Sequence, residues 1–163
     1  MSTDIEDHID NYLYYEEGKL FWKNRSSSYK YLNGKQAGHF NKDGYNVVSV
    51  KCRYIYAHRI VFFMHYRYWP EEVDHKNRDR SDNRIENLRP CTISQNRRNS
   101  GLRTDATPYG KNIGWNRLLS KYFVRLFKDG KYIYCGSFQD LELAQLVASE
   151  AREKYYGEWA YDY

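Results

Sequence analysis

Four residues in the middle of the chain have the types and the order needed to hydrolyse a phosphodiester: Asp74 and His75 side by side, then Asn87, then Asn96. A phosphodiester is anionic and has a poor leaving group. Its hydrolysis calls for a base to activate water and a divalent cation to hold the leaving oxygen. His75 suits the first role, because a neutral imidazole accepts a proton near pH 7. Asp74 and the amide oxygen of Asn96 suit the second, because Mg²⁺ takes hard oxygen ligands. Asn87 lies between them, where a side-chain amide can tie two arms of a loop together. An isolated Asp-His pair is more often an ordinary surface feature than a site. The ordered set, amid Arg84, Arg89, Arg97 and Arg98, favours the chemical reading. His58 has two readings, a functional partner or a histidine hydrogen-bonded inside the core. His8, His39 and His65 read as structural or solvent residues.

The elements that must position these groups follow from pattern and punctuation. The first third reads as short strands and turns: a β-like run at Lys19–Trp22, and Asp43-Gly44 as a hairpin signal between 38–40 and 45–50, with 54–56 completing a meander. Residues 57–68 are apolar nearly all round and end before Pro70, which predicts a buried helix. Glu72–His75 is a short strand entering a polar loop at 76–84. Residues 85–88 form a turn or strand start, and Thr92-Ile-Ser-Gln95 has the form of a capping box that places Asn96 in the first turn of a helix. The stretch 100–108 lacks apolar periodicity and reads as a linker. Beyond it come strands at 113–117, 121–127 and 131–135, with a tight turn at Asp129-Gly130. A helix follows, capped by Asp140, striped by Ala144, Val147, Ala148, Ala151 and Tyr155, and stopped by Gly157. That pattern predicts an α+β protein, its last third a three-stranded antiparallel sheet packed on one helix.

Length and composition bound the function. The 163 residues suffice for one domain or two small ones. Aromatics at 18% are too abundant for a disordered chain, and no apolar stretch is long enough for a bilayer, consistent with a mean hydropathy of −0.93. Asp4, Glu6, Asp7 and Asp10 are at odds with the basic-then-apolar order of a signal peptide. Cys52, Cys91 and Cys135, an odd number far apart, form neither a disulfide framework nor a zinc ribbon; they read as buried free thiols in a reducing cytoplasm. The net charge of +5 matters less than its placement. Residues 76–105 carry eight basic against four acidic side chains, 110–134 six against one, and 135–163 two against six. Two basic stretches interleaved with aromatics suit a polyanion. On the outer face of the last sheet the helix would leave Phe123, Arg125, Phe127, Tyr132 and Tyr134, a surface for nucleic acid or for a second subunit.

Two resemblances sharpen this. Ala57-His-Arg-Ile-Val61, Trp69-Pro70, Val73-Asp-His75, Asp82-Asn-Arg-Ile-Glu-Asn-Leu-Arg89 and Gln95-Asn96 resemble an HNH endonuclease of the phage and intron-homing kind, whose ββα-metal motif lacks zinc-binding cysteines. The likeness covers most of 12–100. It implies His75 as general base, Asp74 and Asn96 as ligands of Mg²⁺ or another divalent ion such as Mn²⁺, and Asn87 as the loop's tie. Asn112-Ile-Gly-Trp115, Lys121-Tyr122, Gly136-Ser-Phe138 and Tyr155-Tyr-Gly-Glu-Trp-Ala160 resemble the ethylene-response-factor type of DNA-binding domain, which lays its sheet in the major groove. That likeness implies Arg125 and Tyr134, with Asn116 and Arg117, as DNA contacts. Arg84, Arg97 and Arg98 join them from the first basic stretch.

The expectation is therefore an HNH endonuclease domain over 1–103, its ββα-metal core at about 57–100, and a DNA-binding domain over 108–163. It would act as a monomer on double-stranded DNA inside a phage-infected bacterial cell, cutting one strand at a time. The rival reading is a non-catalytic DNA-binding regulator on the same scaffold, which has no need of Asp74, His75 and Asn96 together. An RNA-binding protein would explain the aromatics but not the metal set.

Overall fold

The computed structural model describes residues 4–100 and 108–160. Helices and small antiparallel sheets alternate along the chain, an α+β architecture. The chain divides into two compact units, Met1–Ile93 and Ser94–Tyr163. The expected linker at 100–108 falls mostly outside the described residues, and the observed division comes before it. The reason lies in helix α3 (Ile93–Asn99), which finds its partners in the second unit. Lys111 Nζ donates to the carbonyls of Arg98 at 2.7 Å and Ser100 at 2.6 Å, and Arg98 reaches Asp129 at 3.3 Å.

The first unit opens with a helix, α1 (Asp4–Tyr12), where the sequence suggested only strands and turns. Asp4, Glu6 and Asp7 in its first turn suit the positive end of the helix dipole. Ile9 is fully buried, and Asp10 takes two contacts from Arg67 at 2.7 and 2.8 Å. Strands β1 (Leu13–Glu16) and β2 (Lys19–Trp22) form a hairpin around Glu17-Gly18, both at positive φ as such two-residue turns require. Strands β3 (His39–Phe40), β4 (Asn46–Val50) and β5 (Arg53–Tyr56) form the expected meander. Lys51-Cys52, at φ 50° and 60°, turns β4 into β5 and leaves Cys52 exposed. The expectation of three buried thiols thus fails at Cys52: Cys91 is buried and Cys135 half-buried.

Helix α2 (Ala57–Tyr66) ends two residues short of its sequence-based limit. Arg67 turns left-handed at φ 60° and donates its N–H to the Phe63 carbonyl at 2.8 Å, closing the last turn before Pro70. Its residues Ile60, Val61, Phe62 and Phe63 fill the core with Leu13, Leu20, Val48, Val73 and Leu88. Burying each such side chain contributes about 1.5–3 kcal/mol. Against this core lies the hairpin of β6 (Glu72–His75) and β7 (Leu88–Cys91), which pairs Asp74 with Arg89 and His75 with Leu88.

In the second unit β8 (Ile113–Asn116), β9 (Lys121–Lys128) and β10 (Lys131–Phe138) form a sheet in the order β10-β9-β8. Val124 and Leu126 point inward against Ala144, Ala148 and Ala151 of α4 (Leu141–Tyr156), while Arg125 and Phe127 between them face out. Strand β10 continues to Phe138 past a bulge at Gly136, where φ is 121°. Asp140 caps α4 by accepting from the Leu143 N–H at 2.7 Å. Val147 and Tyr155, expected on the buried stripe, are only half-buried; Arg152 and Tyr156 lie deeper. The Arg152 guanidinium donates to the Lys111 carbonyl at 3.1 Å, so its position is that of a structural tie.

Candidate active site

Strand β6 carries Asp74 and His75 to the point where the hairpin opens into the polar loop 76–87. His75 is 4% exposed, its ring against that of His58 at 4.9 Å, with Tyr45 at 6.1 Å. The Tyr56 ring stacks on His58 from the far side at 5.4 Å. Burial pushes the His75 imidazole below its ordinary value, opposed by its hydrogen bond to Asn83 and by the charges of Asp74, Asp79 and Asp82. The result is a histidine that is neutral at physiological pH and holds a lone pair. Burial, with His75 and Arg59 close by, pushes His58 further, to about 3. His58 is thus an uncharged wall beside His75, and the core reading of it is the one its surroundings favour.

Asp74 is 7% exposed, and its Oδ2 accepts from Arg89 Nε at 2.8 Å. The two are direct cross-strand partners, so the antiparallel register itself brings the guanidinium to the carboxylate. A buried carboxylate needs such a partner to stay charged.

The loop is built from its own side chains. Asn77 Oδ1 accepts from the Asp79 N–H, Asp79 Oδ1 from the Ser81 N–H and hydroxyl, and Asn77 Nδ2 donates to Asp82 Oδ2 at 2.8 Å. Asn87 joins the arms. Its Oδ1 accepts from the Asn77 N–H at 3.0 Å, while its Nδ2 donates to Asn77 Oδ1 at 2.9 Å and to the Asp82 carbonyl at 2.8 Å. The group on the His75 ring is instead Asn83, whose Oδ1 lies 3.1 Å from Nε2.

The remaining candidates are placed as follows. Arg84 is held in a fork by Asp82, at 2.8 and 2.7 Å, which drops the Asp82 carboxyl to about 2. Asn96 and Arg97 sit on α3 in the second unit, Arg97 exposed. Arg98 packs over the Tyr156 ring at 5.1 Å with its side chain 13% exposed, an anchoring position for α3. Asn116 Oδ1 accepts from the Leu118 and Leu119 N–H groups at 3.0 and 3.2 Å and so shapes the turn after β8; Arg117 beside it is exposed. Arg125 lies over the Tyr132 ring at 4.2 Å and the Phe123 ring at 5.6 Å, and the exposed Tyr134 is its cross-strand partner.

Sequence reasoning missed Asn83 and the contact of His58 and Tyr45 with His75. It named Arg89 only as part of a basic setting. A hairpin register could have revealed Arg89; no local spacing could have revealed Asn83.

Residues 55–98 match a family model described as HNH endonuclease. The match spans just over a quarter of the chain and contains α2, β6, the polar loop, β7 and most of α3. None of the curated proteins and none of the solved structures compared with the chain matches it. The segment that builds this loop is therefore the one that supports an HNH endonuclease, and with it nuclease activity on DNA.

Proposed function

We propose that the protein is a metal-dependent DNA endonuclease that hydrolyses phosphodiester bonds one strand at a time, in the manner of homing enzymes. The observation that carries this is the buried, neutral His75 beside the buried carboxylate of Asp74, within the segment matched to the HNH endonuclease family. His75 takes the proton of the attacking water. Asn87 holds the loop that supports it, and Arg89 keeps Asp74 charged.

The donor set suits a hard divalent ion such as Mg²⁺ or Mn²⁺. Among the described residues no cluster of three or more His, Cys, Asp or Glu side chains could hold a metal. The ion would accordingly rest on the Asp74 carboxylate and the Asn96 amide oxygen, the sparse protein shell that Mg²⁺ accepts when substrate phosphate and water complete it. Bound there, it would stabilise the charge on the leaving oxygen.

Duplex DNA is held by phosphate contacts from exposed basic residues, Arg97 and Arg117 among them, and by the outer face of β8–β10 around Arg125 and Tyr134, as in the ethylene-response-factor type of domain. Supercoiled plasmid incubated with the protein and Mg²⁺ should become nicked circles, and EDTA should abolish the product. Binding without any cleavage in Mg²⁺ or Mn²⁺ would favour the regulator on an HNH scaffold.

A further inference from the structure

We propose that Asn83 fixes the proton of His75 on Nε2 and so leaves Nδ1 as the atom that accepts a proton, making Asn83 the positioning residue of this site. The inference rests on the reading of His75 as general base and specifies which of its nitrogens does the work.

A neutral imidazole carries one N–H, and the partner of one nitrogen decides the role of the other. His75 Nε2 faces the side chain of Asn83 at 3.1 Å, and both residues are buried, at 4% exposure each. An amide could present either its oxygen or its nitrogen there, so the orientation must come from the amide's other contact. Asn83 Nδ2 points to the Ser81 carbonyl at 3.4 Å. Flipping the amide would set its oxygen against that carbonyl oxygen, two acceptors with no proton between them. Ser81 is in turn held by Asp79, whose Oδ1 accepts from its N–H at 2.9 Å and from its hydroxyl at 2.6 Å. The Asn83 oxygen therefore faces Nε2, and Nε2 must donate. The ring of His58 lies edge-on to that of His75 at 4.9 Å, which resists the ring flip that would exchange the two nitrogens. Asn87 cannot do this work, since its amide is committed to Asn77 and Asp82.

The test uses the full chain with ¹⁵N-labelled histidine, His75 being assigned by the signals lost in His75→Gln. The wild-type ring should show a protonated Nε2 and an unprotonated Nδ1. In Asn83→Ala the two tautomers should mix, and kcat on plasmid DNA should fall about 10- to 100-fold, the scale of a misplaced catalytic group, with DNA affinity unchanged. Asn83→Asp keeps an acceptor in place; it should retain the wild-type tautomer and recover most of the rate, which a mere loss of packing would not. A wild-type proton on Nδ1, or an Asn83→Ala protein with wild-type ring signals and rate, overturns the proposal. A tautomer that depends on Asn83 in a protein that cuts no DNA would uphold the hydrogen-bond assignment and overturn the nuclease reading.

Discussion

At the scale of single residues, the site sets buried polar groups against the cost of burying them. Asp74 is the sharpest case. With Arg89 its carboxylate is paired at 2.8 Å; without it the charge stays buried and uncompensated. Breaking such a pair from one side typically costs about 3–5 kcal/mol. Arg89→Met should lower stability in urea unfolding at neutral pH by that order, and Mg²⁺ should restore more of the loss than it adds to the wild type, because a cation at Asp74 replaces the missing guanidinium. A variant as stable as wild type would mean that Asp74 does not need the pair. His58 makes a second prediction through pH. Its folded pKa of about 3 lies below the ordinary 6.5 of the unfolded chain. Between those values the unfolded state binds a proton that the folded state does not, so stability falls as pH drops from 6.5 toward 3. The slope from this one group approaches about 1.4 kcal/mol per pH unit. Melting curves across that window should be flatter for His58→Gln than for wild type; equal slopes would place the acid sensitivity elsewhere.

At the scale of elements, the hairpins were readable because a two-residue turn leaves a local mark. Asp43-Gly44 and Asp129-Gly130 sit where β3 meets β4 and β9 meets β10. Helix α4 was readable for a similar reason, its Asp140 cap and Gly157 stop bracketing a run with Ala144, Ala148 and Ala151 on one face. Helix α1 was not, because Ile5 and Ile9 are its only aliphatic residues among acids, and what orders it is long-range: Lys51 on Asp4, Arg67 on Asp10 and Trp69 on Glu6. The site divides in the same way. Asp74, His75 and Asn87 stood out by type and order, whereas Asn83 acquires its role from a contact eight residues away through a folded loop. The outer face of the second sheet yields the prediction at this scale. Arg125→Ala should weaken DNA binding by about 1–3 kcal/mol at selected sites if the guanidinium reads a base edge. A loss equal on all sequences, with a shallower salt dependence, would assign it to phosphate.

At the scale of the whole molecule, the chain's two compact units give the proposed functions a physical boundary to be tested against. A DNA-binding fragment starting at 108 discards α3, and with it the hydrogen bonds from Lys111 and the packing of Arg98 on Tyr156. A fragment starting at Ser94 retains them and should melt several degrees higher, since each 1 kcal/mol shifts Tm by about 4–8 °C in a domain of this size. Equal melting temperatures would show that α3 is not part of that unit in solution. The central claim, that His75 is the base of a DNA-cutting site, is tested most directly by single-turnover cleavage with His75→Ala in Mg²⁺, with DNA affinity measured on the same preparation. The account predicts a cleavage rate lower by about 10²–10⁴-fold, the usual contribution of a general base, and an affinity within about twofold of wild type. A His75→Ala protein that cuts DNA at the wild-type rate would contradict it.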